Sequence, residues 1–212
     1  MKTDAILIFI RNPELGKVKT RLAKTIGNEK ALVVYNDLLL HTMIETHLIN
    51  CDKFVFYDTA ITENDIWSEE YYQKKLQTNS DLGQRMHDAF EILFEMGYEQ
   101  CIIVGSDLFD LKSSIIETAF DKLVTHDVAI GPAEDGGYYL LGLKKPNPLL
   151  FKNKDWGTDT VFKATMKNLE GQNVCLVETL NDIDTFADLK RSSYNVAKLK
   201  LDMKQERLKK ML

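Results

Sequence analysis

Cysteine is scarce and unpaired: Cys51, Cys101 and Cys175 lie far apart, show no C-x-x-C spacing, and each falls in or near an apolar run. They read as buried packing residues, which excludes a disulfide framework and fits a reducing cytoplasm. No apolar stretch approaches the ~20 residues of a membrane-spanning helix, and residues 1–9 are too short, and too soon followed by Arg11, for a signal peptide. Membrane insertion and secretion are therefore not expected. No internal repeat and no nucleophile elbow is present, and His41, His47, His87 and His126 are scattered without the spacing of a zinc site.

What is present suffices for a self-contained core. A chain of 212 residues, 44% hydrophobic and 28% charged, can bury roughly 70% of the surface its unfolded form exposes. The net charge of -5 is unevenly spread: from Lys190 onward there are eight Lys/Arg and two Asp/Glu, leaving 19 basic and 30 acidic residues, or -11, before them. An acidic body argues against a nucleic-acid surface, which needs clustered Lys and Arg, and suits divalent cations instead. Residues 1–189 read as one domain and residues 190–212 as a basic tail. In that tail Val196, Leu199, Met203, Leu208 and Met211 recur among lysines, the pattern of an amphipathic helix or a frayed extension. Such a tail would cover apolar surface of this chain or of a second copy in a homo-oligomer.

Residues 5–10 are a continuous apolar run, as in a strand buried on both faces of a parallel sheet. From Asn28, a candidate cap, apolar positions repeat at three and four, predicting a helix. Strands follow at residues 53–58, 101–104 and 127–130, with helices at 81–98 and 113–124 between them; residues 63–79 show no clear period. Alternation of this kind predicts an α/β fold with a mostly parallel central sheet and helices on both faces. Residues 138–143 form a strand too close to its predecessor for a helical crossover, so a small antiparallel insertion is expected there. A helix at 158–169, a strand at 173–179 and a short helix from Thr185 complete the body.

Ligands of open parallel sheets bind outside the carboxyl ends of the strands. After the first strand comes a loop with Arg11, Gly16, Lys17, Lys19, Thr20 and Arg21, a cation-rich segment in an acidic chain. Gly16 permits close backbone approach to an anion, and the cations can neutralise a polyphosphate; a solvated basic turn is the alternative. The segment is neither a Walker A loop nor G-x-G-x-x-G. After residues 101–104 stands Asp107, a candidate metal ligand, with Asp110 a cap for the following helix. Glu134, Asp135, Gly136 and Gly137 form either a ligand-embracing loop or a D-G hairpin turn. Asp182 and Asp184 alternate before the last helix. Magnesium commonly takes one or two protein carboxylates plus substrate phosphates, so Asp107 with Asp184 is a sufficient set, whether or not Asp184 also caps.

Six co-linear segments, FIRNPELGKVKTRL, DLGQRM, GSDLFDL, GPAEDGGYYLLGL, the W-x-T of Trp156 to Thr158, and DIDTFADL, lie in order within residues 5–189. On these segments the chain resembles a family of small bacterial glycosyltransferase-A-type proteins, related to nucleotidyltransferases such as the phospholactate guanylyltransferases. The resemblance implies a nucleotide-diphospho-sugar transferase (GT-A-like) fold with a nucleotide in the cleft. It places the phosphates near residues 16–21, magnesium (or manganese) between Asp107 and Asp184, and the nucleoside near the loop holding Gly83 and Arg85. Leu15 stands where a second proline is common, and Leu108 and Phe109 where a Cys-Pro pair usually follows the aspartate. Neither change removes a charge, but the second alters the cleft wall beside Asp107.

The expected activity is magnesium-dependent nucleotidyl transfer from a nucleoside triphosphate to a small phosphorylated or carboxylated acceptor. Lys19 and Arg21 would stabilise charge, and Asp135 would serve the acceptor. Such catalysis is mostly positioning and charge stabilisation, so no covalent nucleophile is needed. Glycosyl transfer from a nucleotide sugar is the alternative, set lower because the central D-x-D common in such glycosyltransferases is missing. Nucleotide binding without turnover is a third reading.

Overall fold

The N-terminal apolar run forms the middle of the molecule. The computed structural model describes residues 3–78 and 81–197. In chain order it contains β1 (Asp4–Ile10), α1 (Thr20–Ile26), α2 (Asn28–His47), β2 (Asp52–Tyr57), β3 (Tyr72–Leu76), α3 (Leu82–Glu95) and β4 (Gln100–Gly105). Then follow α4 (Ser113–Leu123), β5 (Val128–Pro132), β6 (Tyr138–Leu143), a 3-10 turn (Pro148–Phe151), α5 (Val161–Asn168), β7 (Val174–Leu176) and α6 (Phe186–Arg191). These strands make one sheet in the order β3-β2-β1-β4-β6-β5-β7.

β1 pairs in parallel on both sides, with β2 and with β4, and its period of two sends alternate side chains to opposite faces. Ile6, Ile8 and Ile10 meet Tyr35 and Leu39 of α2 on one face. Ala5 and Leu7 meet Phe90 and Leu93 of α3 on the other. Each fully buried aliphatic side chain contributes roughly 1.5–3 kcal/mol, so β1 anchors both layers.

The reversed strand is β6, antiparallel to both β4 and β5. It lies inside the sheet and is buried along nearly its whole length, so the expected antiparallel insertion is an integral strand and no appendage. Three further differences have local causes. The loop after β1 ends in a helix, α1, because Leu22 buries against Ala31, Val34 and Leu38. β3 hides in the unperiodic stretch because it is a half-exposed strand at the sheet edge. Asn28 is the first residue of α2, and the cap position before it belongs to Gly27, at φ +86°. Of the expected basic tail, residues 198–212 lie outside the described residues.

A third apolar cluster positions the site. Leu22 of α1, Val34 and Leu38 of α2, and Ile183 and Leu189 on either side of the α6 start pack together, drawing the C-terminal segment over the loop that follows β1. The short α6 is held by a capping box. The Asp188 amide donates to Thr185 Oγ1 at 3.3 Å, and the Thr185 amide donates back to Asp188 Oδ2 at 2.7 Å. Losing such a cap typically costs about 0.5–2 kcal/mol. Thr185→Ala should therefore lower the thermal unfolding midpoint, while Thr185→Ser should retain it. An unchanged midpoint for the alanine variant would mean that α6 lies outside the cooperative fold.

Candidate active site

The order of the strands reverses direction between β1 and β4, and the candidate residues gather outside their carboxyl ends, at this switch point. The loop after β1 is pinned at its root. The Arg11 amide donates to Tyr35 Oη at 2.8 Å, and Tyr35 Oη donates to the Arg11 carbonyl at 3.0 Å. The Asn12 amide donates to Asp58 Oδ1 at 2.7 Å, and Asn12 Nδ2 donates to the Ala60 carbonyl at 2.8 Å, tying this loop to the one after β2.

Lys19 is the most constrained residue of the loop. Its backbone is left-handed, at φ 48° and ψ 43°, a conformation that costs a non-glycine residue about 1–2 kcal/mol. Glycine would adopt it freely, so the requirement at this position is for the side chain. That side chain is buried, its Nζ lies 5.9 Å from the Tyr35 ring centroid, and it reaches Asp107 Oδ1 at 2.7 Å. Asp107 follows β4 and is half exposed to the cleft. Its carbonyl accepts the Ile183 amide at 2.9 Å, which joins the segment holding Asp182 and Asp184 to the end of β4. Arg21, the second residue of α1, pairs with Asp184 Oδ2 at 2.7 Å.

Beside these pairs lies a cavity of about 250 Å³, lined by Arg21, Glu134, Asp135, Asp182, Asp184 and Arg191 among others. Glu134 pairs with Arg191 Nη1 at 3.0 Å, and Arg191 also holds Asp188 at 2.8 Å. Asp135 Oδ1 accepts the Gly137 amide at 2.8 Å, so the D-G turn is present and the carboxylate also lines the cavity. Gly136 sits at φ +89°, and a Cβ there would lie 2.3 Å from the Asp159 carbonyl oxygen, so glycine is required. Burial, with the negative charges of Asp135 and Asp107 added, pushes the Asp182 carboxyl up to about 6, against a smaller opposing pull from Lys19. This crowding of carboxylates suits a divalent cation, since magnesium commonly takes only one or two protein carboxylates. A tighter His/Asp/Glu group, His87, Asp88 and Glu91, lies on α3, where His87 faces both carboxylates at 3.6 and 3.5 Å.

The other expected residues stand apart from this centre. Lys17 is exposed and turned onto Glu14 Oε2 at 2.6 Å, next to Gly16 at φ +77°. Arg11 and Thr20 are exposed on either side. Gly83 lies in the first turn of α3, where a Cβ would come 2.5 Å from Trp156 Nε1 and 2.6 Å from the Phe151 carbonyl; it makes room for that indole. Arg85 Nη1 donates to Gln77 Oε1 at 3.5 Å, and Gln77 Nε2 donates to the carbonyls of Ile10 and Phe56 at 3.0 and 2.9 Å, spanning the ends of β1 and β2. Asp110 does not cap α4. Its carboxylate accepts the Ser193 amide at 3.2 Å, while Glu45 accepts the Ser113 amide at 2.7 Å. Among the described residues no helix is long and apolar enough to cross a membrane.

The mostly parallel sheet, its reversed inner strand and the cleft at the switch point define the nucleotide-diphospho-sugar transferase fold. A crystal structure from Desulfovibrio desulfuricans G20, named for that class, is 30% identical, with a TM-score of 0.79, covering 91% of this chain and 92% of its own. Residues 43–158 match the family described as an uncharacterized protein conserved in bacteria (DUF2064), and this chain belongs to that family. The 2-phospho-L-lactate guanylyltransferase of Methanocaldococcus vulcanius is 24% identical over 175 residues, 80% of this chain and 73% of its own. CMP:2-keto-3-deoxy-manno-octonic acid synthetase, solved in complex with CTP, is 12% identical and shares the fold, with a TM-score of 0.54 over 96% of this chain and 99% of its own.

The raised Asp182 carboxyl gives a stability signature with a definite sign. A carboxyl whose folded value lies above its ordinary 3.8 binds more protons folded than unfolded, so stability falls as pH rises between about 4 and 6 and stays lowered above that. Asp182→Asn should therefore raise the unfolding midpoint at pH 7 and flatten its dependence across this window. A lower midpoint at pH 7 would mean that the ionised carboxylate is favourably held.

Proposed function

We propose that this protein is a nucleotide-dependent transferase that moves a nucleotidyl group from a nucleoside triphosphate to a small acceptor and releases pyrophosphate. The observation that carries the reading is Lys19, a buried cation held in left-handed backbone at the end of the central strand, with its ammonium on an aspartate in the cleft. Such a group is poised for a phosphate chain. The guanylyltransferase and the CTP-bound synthetase are relatives whose names state nucleotidyl chemistry. A triphosphate donor also suits a cytoplasmic enzyme.

In this reading Lys19 and Arg21 bind the donor's phosphates and offset the charge that grows on departing pyrophosphate. Asp107 and Asp184 hold magnesium or manganese, which supplies further charge neutralisation at the phosphates when bound. Arg85 and Gln77, above the ends of β1 and β2, lie on the nucleoside side. An acceptor oxygen attacks the α-phosphorus, the bond to the β-phosphate oxygen breaks, and the electron pair leaves with pyrophosphate. Where the acceptor presents a hydroxyl, Asp135 is placed to take its proton. The carboxylates of the cavity wall support an acceptor that offers a hydroxyl, while Arg21 and Arg191 of the same wall suit the phosphate or carboxylate expected from the sequence.

That same carboxylate-rich wall favours a second reading, glycosyl transfer from a nucleotide sugar, in line with the name of the Desulfovibrio protein. One experiment separates the two. With a panel of nucleoside triphosphates and nucleotide sugars in magnesium or manganese, and a panel of polyol and sugar acceptors, nucleotidyl transfer releases pyrophosphate, whereas glycosyl transfer releases a nucleoside mono- or diphosphate. Stabilisation by a nucleotide with neither product would identify a binding protein.

Lys19→Ala should weaken triphosphate binding about tenfold or more while leaving nucleoside binding within about twofold, since a charge-assisted hydrogen bond is typically worth about 1.5–3 kcal/mol. Calorimetric titration with both ligands checks this. Equal losses for the two would locate the defect in loop folding.

A further inference from the structure

We propose that Asp107 and Asp184 serve, in the ligand-free site, as anionic placeholders on Lys19 and Arg21, so that the site admits polyphosphate only as its divalent-metal complex. The inference rests on the nucleotide reading above. Both carboxylates assigned to the metal are bonded to the two cations assigned to phosphate, Asp107 to Lys19 at 2.7 Å and Asp184 to Arg21 at 2.7 Å. The site is neutralised from within. A bare polyphosphate finds its cations already satisfied and must displace Asp107 from Lys19 and push Asp184 against the carboxylates of Asp135 and Asp182 that line the cavity with it. With a divalent cation present the exchange balances: the carboxylates turn to the metal, and the ammonium and guanidinium turn to phosphate oxygens.

The two pairs are unequal. Lys19 is only 5% exposed and lies beneath Asp107, which is 50% exposed. Its left-handed backbone and its position over the Tyr35 ring keep the ammonium where it is, so Asp107 must be the partner that moves. The Arg21 side chain is 68% exposed, and water already screens its bond to Asp184. Asp107 is therefore the main barrier to metal-free polyphosphate and Asp184 the lesser one. Linkage makes the effect mutual, so polyphosphate raises metal affinity by the same factor that metal raises polyphosphate affinity.

The consequence is a reversal of sign. Removing a carboxylate that aids the metal complex should improve binding of the metal-free anion. Isothermal titration with inorganic tripolyphosphate, in EDTA and as the preformed magnesium complex, tests it on the parent, Asp107→Asn and Asp184→Asn, with unfolding midpoints confirming that each is folded. In EDTA, Asp107→Asn should bind about tenfold or more tighter than the parent, as expected for freeing a charge-assisted bond. Asp184→Asn should gain about threefold or less, the scale of an exposed pair. The parent should prefer the magnesium complex, and both variants should lose most of that preference. If the parent binds the magnesium complex but neither variant gains affinity in EDTA, the placeholder inference is wrong while the nucleotide reading stands. If neither the parent nor a variant binds tripolyphosphate under either condition, the nucleotide reading itself fails.

Discussion

The two-sided parallel pairing of β1 sets the geometry of the whole cleft. With β2 on one flank and β4 on the other, β1 ends in the middle of the sheet, and the chain must leave it through the crevice between its neighbours. The register that sets Phe9 opposite Gly105 brings both exits to the same level. Lys19 and Asp107 can then meet although they are far apart in the chain. The α2 and α3 layers, packed on opposite faces of β1, fix the crevice walls, and Tyr35 of α2 holds the root of the loop.

The cation-rich loop, Asp107 and the Asp182–Asp184 segment stand out in the sequence because each follows an apolar strand, and polar residues there have no packing role to explain them. The strand expected at residues 138–143 is β6, at those same residues. Residues with two roles are hidden from a sequence pattern. Tyr35 falls on the apolar face of α2 and reads as core, although its hydroxyl anchors the loop after β1. Arg191 stands just past the expected domain edge, yet it pairs with Glu134 at the cavity. Gly83 falls where the family resemblance implies the nucleoside, but its missing side chain makes room for Trp156, a tertiary approach that no local pattern encodes.

Electrostatics give the cleft its character. The body is acidic, and the carboxylates of the site are crowded enough that Asp182 resists ionisation. A fold optimised for stability alone would not bury a lysine in left-handed backbone beneath a half-exposed aspartate. Such local costs persist where the surrounding structure holds them and cluster at functional sites, and here both the strain and the crowding fall in the same crevice.

The wall formed by Ile183, Asp184 and Leu189 is the last part of the described chain to close on the first. Arg21 and Asp184 are 163 positions apart, and Tyr194 reaches back 157 positions to Asp37. On a ribosome the strands β1 to β6 would be made before this wall exists. A nascent chain at that stage has the cation-rich loop and Asp107, but neither Asp184 nor an enclosed cavity. The cleft wall with its Arg21–Asp184 pair is therefore completed late in synthesis, when α6 docks on α1.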